Sequence, residues 1–314
     1  MQNPAEKIFS VKTFDYNRAE PCIVRETAHW AVVYKTPHLP TAPLRADECN
    51  TLVYWFLHRA KAKENAPSDG ISDGMQTDAL LDATQIDAQE PAIEYGLRSR
   101  EAQVRGKKAI EAGLLHRLDT DTRGLVLFAK DQAVYDFLSA RQEAGQMIKT
   151  YCAFVEPCRL DAAVNRMAAV ESQFRNFGPG AKRVAPVFPG SRHYKKDGRL
   201  YTTVIEAVDM LPSSIGGNDT VPQIACESCP SQTGAERRLI RVRCRLSRGY
   251  RHQVRAHLAA AGLPIVGDLL YAPQRAEAPP VSLQLYAVSL EFPDPENPQQ
   301  NILVALPPPD KMNP

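Results

Sequence analysis

The chain of 314 residues contains no apolar run near the ~18 residues a membrane-spanning helix needs. Its opening, MQNPAEKIFS, lacks the apolar core of a secretory leader. Cysteine is scarce and odd in number: Cys22, Cys49, Cys152, Cys158, Cys226, Cys229 and Cys244. That scatter excludes a small disulfide-stapled scaffold and points to a reducing, cytoplasmic setting. Cys226-x-x-Cys229 has no second pair nearby, so no zinc site is expected from it. Tryptophan occurs only as Trp30 and Trp55, which read as core residues. Internal repeats are missing too. The ordinary mix of 44% hydrophobic and 24% charged residues then fits one globular domain with a sizeable core.

Net charge is also nearly absent, at +2, but its distribution is uneven. From Glu64 to Leu97 there are eight acidic residues and no Lys or Arg. From Arg237 to Arg255 there are eight arginines and no acidic residue. Residues 60–104 read as a mobile acidic insert in a core of about 22–292. The basic stretch is concentrated enough for a phosphate footprint, with a solvated strand face as the plainer alternative.

Patterning places strands at Ile23–Tyr34, Leu125–Ala129, Tyr151–Val155, Tyr201–Ala207, Leu239–Leu246 and Leu283–Phe292. Within Leu239–Leu246, Ile240, Val242, Cys244 and Leu246 alternate with Arg241, Arg243 and Arg245, which predicts one buried and one cationic face. Leu52–Leu57 fits strand or helix. Asp131 is placed as an N-cap before Val134, Phe137 and Leu138. His252–Ala261 reads as a helix closed by Gly262. Residues 212–234 read as a polar hairpin loop, 178–199 as a basic loop with Lys182, Arg183, Lys195 and Lys196, and the tail from Pro293 as irregular. Strands and helices mix without a βαβ rhythm. The expected class is therefore α+β, with a central, largely antiparallel sheet flanked by helices and loops.

Two segments carry candidate chemistry. In GLLHRLDTDTRGLVLFAK, residues 113–130, a polar turn holds Asp119 just before a buried strand opened by Gly124. A carboxylate on such a turn suits a nucleophile or base, although an isolated Asp there also suits turn capping. In RGYRHQVRAHLAAAGLPIVGDLLY, residues 248–271, His252, Arg255 and His257 fall close together. The spacing of the two histidines matches no standard zinc motif.

These segments resemble the RluA-type pseudouridine synthase family. HRLD-x-x-T-x-G-L-x-x-x-AK is similar to its catalytic motif. IKTY, residues 148–151, is similar to its K-x-Y segment, and GYRHQVRAHLAAAGLPIVGDLLY to its HQ-x-R-x-H-L segment. VVYKTPHLPT is similar to its early strand and lysine, matching Lys35. Departures are Arg123 for a usual Ser, Tyr250 for Arg, Tyr286 for His, and Thr36 between Lys35 and Pro37. The resemblance implies the pseudouridine synthase catalytic fold and the isomerisation of uridine to pseudouridine. It makes Asp119 the catalytic carboxylate, Tyr151 the active-site phenol and Arg255 the partner of Asp119.

That reaction breaks a glycosidic bond, rotates the base and rejoins it through C5, so no cofactor or metal is expected. The base must be extruded from RNA. Contacts to RNA are expected from His116, Arg117, Lys35, Arg241, Arg243, Arg245, Arg251, His252 and Gln253, with His116 also orienting the catalytic loop. The expected partner is ribosomal or transfer RNA. The protein is expected to act as a monomer without an obligatory protein partner, membrane or separate N-terminal RNA-binding module. Two alternatives are an inactive RNA-binding protein or chaperone of the same fold, and a metal-dependent hydrolase using His116, Asp119 and Asp121.

Overall fold

The structure is a computed structural model that describes residues 6–64, 104–156, 169–210, 239–272 and 282–313. Most of the acidic insert, the loop at 212–234 and the Cys226/Cys229 pair lie outside the described residues. The strands are β1 (Glu6–Ser10), β2 (Cys22–Glu26), β3 (Trp30–Lys35), β4 (Arg123–Ala129), β5 (Ile148–Val155), β6 (Ala169–Phe177), β7 (Arg183–Val187), β8 (Tyr201–Met210), β9 (Ile240–Leu246), β10 (Leu285–Pro293) and β11 (Asn301–Ala305). The helices are α1 (Leu52–Glu64), α2 (Gln132–Glu143) and α3 (Gln253–Ala260).

The strands join in the order β2-β3-β4-β10-β5-β9-β8-β6-β7, with β11 on β10 and β1 on β11. Among the described residues only β4–β10 and β1–β11 pair in parallel, so this is an α+β fold with a largely antiparallel sheet. Gly124 makes the β4–β10 junction possible. Its φ is +131°, and a Cβ there would lie 2.3 Å from the carbonyl oxygen of Ala287.

Each face of the sheet has its own core. On the front, Val126, Ala153, Val242, Cys244 and Leu285 pack with Leu52 and Phe56 of α1 and Val254 and Leu258 of α3. On the back, Leu125, Leu127, Phe154 and Tyr286 pack with Leu138 of α2 and Val304 of β11. Asp131 caps α2 by accepting from the Val134 amide at 2.9 Å. His257 anchors α3 to the front: its ring lies 2.9 Å from both Ser172 Oγ and Thr203 Oγ1. Burial pushes its pKa down to about 4, which keeps the ring neutral there.

Three differences from the sequence reading have local causes, and one open alternative is resolved. Residues 23–34 form a hairpin rather than one strand, because the Thr27 hydroxyl accepts from the amides of His29 and Trp30 and turns the chain. Leu52–Leu57 is helical, and the helix runs to Glu64. The basic loop contains β7, where Pro186 is tolerated because β7 is the sheet's outer strand. The tail is not irregular and the core does not end at 292. Ile302 and Val304 are buried in β11, which also recruits β1. Five residues between prolines are too few to display their period.

Arg123 and Tyr286, two departures from the family pattern, meet on the back of the sheet. The Arg123 guanidinium lies 5.3 Å from the Tyr286 ring centroid and also donates to Ser282 Oγ at 2.7 Å. The two substitutions belong to one buried cluster. Tyr250 stacks on Phe174, with centroids 4.9 Å apart.

Candidate active site

Asp119 begins a tight turn, its carbonyl accepting from the Thr122 amide at 3.1 Å. The turn is pinned on both sides. Before it, the Thr41 hydroxyl donates to the Leu118 carbonyl at 2.7 Å and accepts from the Leu118 amide at 3.1 Å. After it, Lys35 Nζ donates to the carbonyls of Thr120, Thr36 and Leu39 at 2.8, 2.9 and 2.7 Å. Lys35 is fully buried, so it holds the Asp119 turn from beneath rather than contacting RNA as expected. Burial pushes its pKa down to about 7, while Asp119 and Asp121 pull it up. Three carbonyl acceptors match the three N–H groups of the charged form.

Arg255 Nη1 donates to Asp119 Oδ2 at 2.9 Å. The other edge of the guanidinium is clamped by Asp268, with Nε and Nη2 each 2.8 Å from a carboxylate oxygen. Burial works against the charge on Arg255, but the bonds and charge of Asp268, then of Asp119, more than reverse this and hold it protonated. Asp119 is 24% exposed against 5% for Arg255. The carboxylate therefore meets incoming ligand while its counter-charge stays in the protein.

Tyr151 points to the front face of β5, as Cys244 does on β9. It is 9% exposed. Burial, then the negative field of Asp119, pushes its phenol well above the ordinary tyrosine range. It stays a neutral ring and hydroxyl, suited to lying against a base rather than taking a proton.

His252 is the second basic group at the carboxylate. Its Nε2 lies 3.8 Å from Asp119 Oδ1 and its Nδ1 lies 3.0 Å from the Tyr271 hydroxyl. It enters α3 in a left-handed conformation, φ 55° and ψ 19°, which is uncommon outside glycine. Burial lowers its pKa, and Arg255 and Arg251 add to that against the opposing pull of Asp119 and Asp268.

Several other expected site residues fall elsewhere. His116 is buried, and its Nε2 accepts from the Leu127 amide at 3.3 Å. It anchors the loop, and burial, then Lys149, holds it neutral, with its pKa well below the ordinary histidine value. Arg117 pairs with the buried Glu111. Asp121 lies 3.0 Å from His38 Nδ1. His116, Asp119 and Asp121 are thus each engaged separately and form no common ligand set. Gln253 is buried, donating to the Thr202 carbonyl and Thr203 Oγ1 at 3.0 and 3.1 Å, so it braces α3 instead of touching RNA. Arg251 donates to the carbonyls of Ala181 and Arg183, tying the β6–β7 hairpin to the start of α3.

The arginine stripe of β9 is not part of this site. Arg241, Arg243 and Arg245 register with Phe154, Cys152 and Thr150 on β5, on the face opposite Tyr151. Arg241 pairs with Asp209 at 2.9 Å, and Arg245 reaches Glu206 and Glu291 at 3.4 and 3.5 Å. Residues the sequence reading missed are Thr41, Asp268 and Tyr271. Asp268 and Tyr271 lie in the GDLLY end of a motif already singled out, and their chemistry shows only once Arg255 and His252 are placed against them.

The fold as a whole has a counterpart among solved structures. The human RNA Pseudouridylate Synthase Domain Containing 1 superposes with a TM-score of 0.53 at 17% identity, covering 95% of this chain and 87% of its own. The sequence family described as RNA pseudouridylate synthase matches residues 29–260. RNA pseudouridine synthase 2, chloroplastic, of Oryza sativa subsp. japonica is 27% identical over 279 residues, 83% of this chain and 52% of its own length. Ribosomal large subunit pseudouridine synthase D of Pseudomonas aeruginosa is 26% identical over 186 residues, 58% of this chain and 45% of its own length. The chain belongs to the RNA pseudouridylate synthase family. It spans about half the length of these two relatives.

Proposed function

We propose that the chain carries the catalytic unit of an RNA pseudouridine synthase, converting uridine to pseudouridine in structured ribosomal or transfer RNA. The observation that carries this reading is the 2.9 Å contact from the buried Arg255 to one oxygen of the half-open Asp119, with the other oxygen left facing the site. In this reading Asp119 is the one anionic group at the reacting nucleotide. The N1–C1′ bond breaks, the uracil turns against Tyr151, and a C5–C1′ bond forms. The proton on C5 is lost and N1 gains one, so nothing is consumed.

RNA is held, on this proposal, by the β6–β7 hairpin and the segment after it. Between Arg175 and Arg199 lie seven Lys or Arg residues and one acid, Asp197. Arg251 links this region to the start of α3 beside Asp119. Phosphate contacts there would set affinity, while the carboxylate does the chemistry.

The test is tritium release from RNA labelled at uridine C5, with RNA affinity measured on the same samples. The wild-type chain is expected to release tritium and Asp119→Asn to release none, with affinity within about twofold, since binding rests on phosphate contacts. A wild-type chain that binds RNA and releases no tritium would make this a binding protein. Mapping pseudouridines in total RNA with and without the protein identifies the substrate.

A further inference from the structure

Arg255 occupies only one oxygen of Asp119. The other, Oδ1, faces His252 Nε2 at 3.8 Å, beyond hydrogen-bond reach. What that nitrogen carries is decided on the far side of the ring. The Tyr271 hydroxyl lies 3.0 Å from His252 Nδ1 and accepts from the Val184 amide at 2.8 Å. The phenol therefore has its own hydrogen to place. Among the described residues the acceptor within reach is Nδ1. With Nδ1 accepting, a neutral imidazole carries its proton on Nε2, toward Asp119.

The same short turn sets both basic groups at the carboxylate. Asp268 accepts from the amides of Leu270 and Tyr271 at 2.9 and 3.1 Å while it clamps Arg255. Tyr271 then stands edge-on to His252, with centroids 5.8 Å apart and planes at 84°. The left-handed backbone at His252 aims its ring into this slot.

We propose that Tyr271 is a positioning residue that fixes His252 as a neutral Nε2–H donor, aimed at the oxygen of Asp119 that Arg255 leaves open. A neutral Nε2–H facing that oxygen leaves the carboxylate its full charge. An imidazolium in the same place would make a second ion pair and quench the carboxylate. The role of the donor in turnover rests on the pseudouridine synthase reading, whereas the protonation pattern of the ring does not.

Nitrogen-15 NMR of the His252 ring reads the tautomer directly. The wild-type ring is expected to show a protonated Nε2 and an unprotonated Nδ1, and Tyr271→Phe to lose that preference. Tyr271→Phe should slow single-turnover tritium release about 10–100-fold with RNA affinity unchanged, the cost of a misplaced group. His252→Gln, whose amide nitrogen can stand in for Nε2, should retain most of the rate that His252→Ala loses. A protonated Nδ1 in the wild type, a wild-type rate in Tyr271→Phe, or His252→Gln as slow as His252→Ala would each overturn the proposal. If Tyr271→Phe does not fold, the wild-type tautomer and the His252 pair still decide it. A wild-type chain that makes no pseudouridine in any RNA refutes the pseudouridine reading alone, and the tautomer then decides the role of Tyr271.

Discussion

Two parts of the chain are rich in cations, and their surroundings differ. On β9, Arg241 and Arg245 face carboxylates from β8, β10 and the tail: Asp209, Asp310, Glu206 and Glu291. Between Arg175 and Arg199, none of the seven cations forms an ion pair with a carboxylate among the described residues. Arg175 and Arg183 lie over the Phe177 ring instead, at 5.2 and 5.1 Å. The first region has more tightly spaced arginines, yet its field is largely cancelled by its own sheet. The second is looser in sequence but keeps its charge, and Arg251 ties it to the start of α3. A basic run therefore becomes a nucleic-acid footprint only if the fold leaves it uncompensated.

The strongest test of this contrast is catalytic. Asp119→Asn, on the face served by the hairpin, should lower turnover at least about 10³-fold. Arg243→Ala, on the opposite face, should leave turnover within about twofold, since surface changes remote from a site act weakly. Single-turnover tritium release measures both, and a large loss in Arg243→Ala would bring the back of the sheet into the reaction.

Lys149 extends the comparison to a cation that pairs with no carboxylate among the described residues. It is buried on the front of β5, and burial alone pushes its pKa down to about 8 from 10.5. Between those values the unfolded chain binds more protons than the folded one, so stability rises with pH there. Below about pH 8 both forms are charged and the penalty is constant. Wild type should gain about 2–3 kcal/mol relative to Lys149→Met between pH 7.5 and 10.5. Denaturant melts at the two pH values decide it, and parallel curves would show that Lys149 titrates normally.

Binding offers a third test. Reversing Lys182, Lys195 and Lys196 to Glu should weaken RNA binding roughly 10–100-fold near 0.1 M salt and flatten the salt slope by about 2–3. Arg241→Glu with Arg245→Glu should flatten it by less than about 1. Equal changes would erase the distinction between the two regions.

The smallest effect belongs to the compensated arginines themselves. Arg241→Ala should cost about 0–1 kcal/mol, because Asp209 is half-exposed and such pairs are screened. A loss of several kcal/mol in a thermal or denaturant melt would mean that the stripe is structural.

Much of the candidate site was legible before any fold was known. Asp119, Tyr151 and Arg255 stand in ordered motifs, and Arg255 does reach Asp119 across 136 positions. The strands Leu125–Ala129 and Leu239–Leu246 and the Asp131 cap were legible for a different reason. Alternation and capping are set within a few residues, so the chain displays them locally. β1 and β11 were not legible, since each is five residues long and is ordered by pairing with distant strands, β11 on β10 and the largely exposed β1 on β11. Lys35 and Gln253 carried the right motif positions and the wrong roles, and His116 kept the loop-orienting role but not the RNA contact. Whether a polar side chain meets solvent or three buried carbonyls is not written in its neighbours.

The sequence by itself determined the α+β class and the family and singled out Asp119 as the candidate carboxylate, because these reside in local patterns and in residue types at set spacings. Only the tertiary structure decided which charges survive and which groups flank Asp119. Strand register places Asp209 opposite Arg241 and sends the β9 arginines to the face away from Tyr151. A single turn at 268–271 brings Asp268 to Arg255 and Tyr271 to His252. Electrostatic and hydrogen-bond energies fall steeply over a few ångströms, so they depend on distances that exist only after the chain has folded.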